Sequence, residues 1–139
     1  MVLLDPVDST SFEPASVLSQ LAASRVPTAV VGAGKGVDCG SSYASVYEVL
    51  ERAGTPRLLA LVKQAGHLQF LDRRNEVVDV CTFGKASDAS VHAVAQAVLC
   101  AWCASFVSGL KAGVEEAAVL RGELQLATEV EVVWERGGF

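Results

Sequence analysis

The stretch VPTAVVGAGKG, residues 26–36, decides the fold class. Its first six residues carry no charge, and glycines at 32, 34 and 36 close it. A strand buried on both faces reads as a near-continuous apolar run, and such strands belong to parallel sheets. Working outward, two similar runs flank it. Residues 1–5, MVLLD, end at Pro6, which cannot continue a ladder. Residues 57–63, RLLALVK, follow the break at Gly54, Thr55 and Pro56. The spacing predicts helices over 15–24 and 43–52, between these strands. A polar loop is expected over 7–13, and a second loop, QAGHLQFLD, over 64–72, opening at Gly66. Ser87 and Asp88 form an N-cap for a long apolar helix over 89–108, stopped at Gly109. Alternation of strand and helix means a parallel sheet with helices on its faces, so the class is α/β. Farther on, 111–120 suits a short helix, and 128–134 alternates weakly, as an extended strand or arm.

At 139 residues the chain is one domain and not two. Half of it (51%) is hydrophobic and only 6% aromatic, with alanine and valine dominant. That mix suits a buried α/β core better than a sandwich. The net charge is −5, without a basic run. Nucleic-acid binding and a basic membrane-surface patch both need clustered Lys and Arg, so both are disfavoured. The uncharged helix over 89–108 approaches membrane-spanning length. It also holds Ser90, His92, Gln96, Ser105 and Ser108, and reads as a buried helix on a sheet, with no transmembrane segment. The four cysteines, Cys39, Cys81, Cys100 and Cys103, lack a paired zinc spacing. Cys100 and Cys103 share one helix face and are expected as small core residues. A Cys39–Cys81 disulfide is left open. The first five residues lack the features of a signal or transit peptide. They read as the end of a buried strand, so the chain is expected to start in mid-domain.

Two residues are the candidates for chemistry, set against the plainer reading of an aspartate at a strand end as a turn or cap residue. Asp5 closes a strand, and His67 lies just after another. In open parallel sheets functional groups gather at the carboxyl ends of strands. A histidine acting as general base needs a carboxylate on its other ring nitrogen, to fix the tautomer and stabilise the imidazolium. One strand–helix–strand excursion between the two can bring them to the same edge. Asp8 is a second carboxylate nearby, ranked below Asp5 and read as a turn residue. The glycines of 32–36 fail the phosphate-loop and dinucleotide patterns, so they read as a plain turn. His92 reads as a helix histidine with its hydrogen bonds satisfied. Neither histidine has carboxylates at metal spacing, so no metal site is expected.

Four segments resemble the chlorophyllases of plants and algae, in the same order and at similar spacing. LLDPVD, residues 3–8, resembles the stretch that holds that family's triad aspartate. Residues 26–36 resemble its next strand and glycine turn. AGHLQFLD, residues 65–72, resembles the block that holds the triad histidine. CTFGK, residues 81–85, and the long helix sit where the family has a cysteine-bearing segment and its last large helix. The resemblance runs from about residue 3 to about residue 111. It implies the C-terminal part of an α/β-hydrolase parallel sheet with flanking helices. Residues 1–110 would be the C-terminal half of that domain, and 111–139 its last helix and tail. It implies carboxylic-ester hydrolysis, with Asp5 as triad acid and His67 as general base. The implied substrate is a lipophilic ester, chlorophyll, cut to chlorophyllide and phytol. It implies no cofactor, and a chloroplast location.

The departure from that family is large. Its nucleophile is the serine of a Gly-x-Ser-x-Gly elbow upstream of the acid. No such pattern exists in these 139 residues; Ser41 and Ser42 after Gly40 are followed by Tyr43 and Ala44. One oxyanion donor follows the nucleophile in that scheme and is lost with it. The expected partner is therefore the missing N-terminal half of the domain. The alternatives are a non-catalytic binding or interaction remnant, and a hydrolase of the same fold acting on another ester. Leu68, Phe70 and Leu71 beside His67 would line a pocket for a greasy ester or, in the preferred reading, sit in the core.

Overall fold

The computed structural model describes residues 1–6, 17–35, 43–71, 84–108 and 132–137. Three strands, β1 (Val2–Leu4), β2 (Thr28–Ala33) and β3 (Arg57–Val62), pair in parallel in that order. Helix α1 (Val17–Ser24) joins β1 to β2, and α2 (Tyr43–Arg52) joins β2 to β3. Both crossovers step the same way across the sheet, which puts both helices on one face when the crossovers share a hand. The long helix α3 (Asp88–Ser108) covers the opposite face. A last strand, β4 (Val132–Gly137), pairs antiparallel with β3. The chain is therefore of the α/β class, with helices on both faces of a small, mainly parallel sheet.

The central strands show why an unbroken apolar run is needed. Successive side chains of a strand point to opposite faces. Ala29, Val31 and Ala33 of β2 face α3, while Val30 faces α1 and α2. Val30 and Val31 are both wholly buried, so neither face tolerates a polar residue. Burying each valine contributes about 1.5–3 kcal/mol. On α3 the buried residues are Val91, Val94, Ala95, Val98, Ala101 and Trp102. That is the i, i+3, i+4, i+7 stripe of a helix lying on a core. No helix among the described residues is long and apolar enough to cross a membrane.

Several sequence expectations shift. The middle strand begins at Thr28, not Val26, because Pro27 has no N–H to give, and it runs on through Gly32 and Ala33. Cys100 and Cys103 are exposed, not core. The inward stripe passes through positions 98, 101 and 102, which turns 100 and 103 outward. The expected loop after β3 contains a 3₁₀ turn, His67–Phe70. The weakly alternating tail, expected as a strand or arm over 128–134, contains a strand over 132–137 that covers the outer edge of β3. The expected helix over 111–120, Asp8, Ser41, Ser42, Cys39 and Cys81 lie outside the described residues.

Candidate active site

Asp5 follows directly on β1 and takes a left-handed backbone conformation, φ 38°. Among residues with a Cβ, Asp and Asn are the commonest there. The turn tucks its carboxylate over the end of the sheet. The Asp5 N–H donates to the Val31 carbonyl at 2.6 Å. The Ala33 N–H donates to Asp5 Oδ1 at 2.8 Å. Asp5 is only 1% exposed. A buried carboxylate is costly unless hydrogen-bonded and paired. Here the second oxygen, Oδ2, lies 2.6 Å from Nδ1 of His67.

A carboxylate only accepts, so with Asp5 ionised the hydrogen of this contact is carried by His67 Nδ1, which donates to Asp5. Nε2 of the neutral ring is then the acceptor, the arrangement a general base requires. The bond is short, as expected of a charge-assisted pair. His67 is 28% exposed at the side chain, against 0% for Asp5. The carboxylate is thus shielded while the imidazole reaches the surface. Among the described residues, no hydrogen bond joins Nε2 to a partner.

The sequence places His67 by two further devices. Gly34 lets β2 close against the end of β3. Its N–H donates to the Val62 carbonyl at 2.9 Å, and Lys35 N–H donates to the Ala65 carbonyl at 2.9 Å. A Cβ at Gly34 would collide with the Lys63 backbone. This glycine turn thus ties the end of β2 to the segment just before His67. The second device is Gln69, buried at 2% exposure. Its Oε1 accepts from the Gly66 N–H at 2.8 Å. Its Nε2 donates to the Ala86 carbonyl at 2.6 Å and to Asp88 Oδ1 at 2.9 Å. One amide thus ties the 3₁₀ turn to the first turn of α3. Sequence reasoning missed Gln69, although Gly66-x-x-Gln69 has the spacing of a capping box, with Gln at N3. Gly84 completes the clamp, since a Cβ there would strike the Gln64 carbonyl and the Gln69 amide.

Of the apolar residues beside His67, Phe70 packs against the core and lines a groove with Val2 and Leu4. Leu68 is half-buried and Leu71 is exposed, so neither belongs to the core. His92 departs from expectation: its Nε2 is buried and has no hydrogen-bond partner among the described residues. Among the described residues no three His, Cys, Asp or Glu side chains cluster to hold a metal ion. Taken together, the geometry defines a buried acid oriented on a half-exposed histidine, at the carboxyl edge of a parallel sheet. Comparison with protein-family models, with curated proteins and with solved structures gives no match to this chain.

Proposed function

We propose that the chain supplies the acid and the base of a carboxylic-ester hydrolase of the α/β-hydrolase fold, similar to chlorophyllase. The observation that carries this reading is the 2.6 Å contact between Asp5 Oδ2 and His67 Nδ1. In the proposed reaction His67 Nε2 takes a proton from the attacking hydroxyl and returns it to the leaving alcohol. Asp5 holds the ring and stabilises the imidazolium. The attacking serine and the oxyanion donors come from outside these 139 residues, from the missing half of the domain. The substrate is a lipophilic ester; chlorophyll, in a chloroplast, is the one the chlorophyllase resemblance names.

The lack of a Gly-x-Ser-x-Gly pattern favours a second reading, a non-catalytic binding remnant of such a hydrolase. Assays of chlorophyll and of p-nitrophenyl acetate, with the chain and its His67→Ala variant, separate the two. An activated ester needs only an imidazole base, so the chain is expected to hydrolyse p-nitrophenyl acetate. His67→Ala should lower that rate by about tenfold or more. Equal rates for the two proteins would leave the binding reading. Cleavage of chlorophyll by the chain alone would mean that it carries a nucleophile of its own.

A further inference from the structure

Helix α3 carries two free thiols, Cys100 and Cys103, and both are exposed. Free cysteine is usually buried as a small hydrophobe, and these two are not. The inward stripe of the helix runs through Val91, Val94, Val98, Ala101 and Trp102. At about 100° per residue, the midpoint of positions 100 and 103 falls opposite that stripe. The pair therefore faces directly away from the sheet rather than over either of its edges. It also lies about three turns down the helix from Asp88, where α3 meets the turn that holds His67. Neither the core nor the Asp5–His67 pair accounts for it.

The spacing decides which chemistry two such thiols share. Residues three apart on an α-helix have Cβ atoms about 5–6 Å apart. A disulfide needs about 3.5–4.5 Å between them, closed by one S–S bond of about 2.05 Å. A regular helix thus holds this pair too wide to close on itself. An ion set between two sulfurs spans the gap with two bonds, each about 2.3 Å in the case of zinc. That longer bridge suits the wider spacing. The number of ligands then selects the ion. Structural zinc takes four ligands. Among the described residues, no three or more His, Cys, Asp or Glu side chains come together to hold a metal. Cu(I) is soft, favours thiolate sulfur and is satisfied by two sulfurs in a line.

We propose that Cys100 and Cys103 form a two-thiolate site for Cu(I) on the outer face of α3. Each thiol releases its proton as its copper–sulfur bond forms, and the copper stays Cu(I) throughout. The site uses no part of the ester-cleaving machinery, so it stands or falls apart from the proposed hydrolysis. The test is an oxygen-free titration of the reduced chain with Cu(I) held by the coloured chelator bicinchoninate. The parent chain is compared with Cys100→Ser and with Cys103→Ser, both at exposed positions that folding tolerates. Either substitution should lower the copper held per chain by about one equivalent, whatever Cys39 and Cys81 hold, with the far-ultraviolet circular dichroism unchanged. Zn²⁺, titrated in parallel, should show no such difference between parent and variants. The proposal is overturned if parent and variants hold the same amount of copper, or if the lost equivalent is shared between two chains, seen as a doubled mass in sedimentation. A matching loss of zinc would equally overturn it, since zinc needs ligands beyond the two thiols.

Discussion

A carboxylate held out of water must find donors, and Asp5 finds the Ala33 N–H and the His67 ring. Asp5→Asn keeps the shape but offers an N–H or a weaker acceptor, so the ring loses its reason to keep the proton on Nδ1. Hydrolysis of p-nitrophenyl acetate should fall on the order of tenfold or more while far-ultraviolet circular dichroism stays unchanged. Gln69→Ala should cost about 1–3 kcal/mol in urea denaturation, because the buried Gly66 N–H loses its acceptor. That Asp5 and His67 could meet was legible from their places beyond two strands, but what singled the pair out was the chlorophyllase resemblance, since a polar residue after a strand is commonly only a turn or cap. Gln69 was not, since one glutamine in an apolar block carries no chemical signature beyond its spacing from Gly66. His92 was read as satisfied, because helix periodicity places a side chain on a face but does not say what it meets there.

The elements follow from hydrophobic period more than from propensity. Helix α3 lies on the sheet through Val91, Val94, Val98 and Trp102. Trp102→Ala should cost about 3–5 kcal/mol, as truncation of a packed aromatic does. Leu99→Ala, off that stripe, should stay within about 0.5 kcal/mol of the parent. Urea denaturation of the two variants side by side measures the contrast. The helix was visible in the sequence, yet its inward face was not, because almost every residue in it is apolar or small. A helix of that kind shows weak amphipathicity, which is why Cys100 and Cys103 read as core and stand exposed. The 3₁₀ turn is four residues long and has no period to detect.

At the scale of the molecule, the order of three parallel strands was readable from the alternation of apolar runs and helices. The tail was read as a strand or arm, but its antiparallel place beside β3 was not legible, because that partner lies far back in the chain. Its role is to cover the N–H and C=O groups on the outer side of β3, register Arg57↔Gly137 to Val62↔Val132. Removing residues 132–139 should expose a hydrophobic edge, and sedimentation should then show association that rises with protein concentration. The functional reading rests on one geometric claim, that Asp5 holds the neutral His67 ring protonated at Nδ1 with Nε2 left to accept a proton. Long-range ¹H–¹⁵N NMR of the imidazole rings tests it directly. The account predicts the Nδ1–H tautomer for His67, lost in Asp5→Asn; an Nε2–H tautomer, or one indifferent to Asp5→Asn, would contradict it.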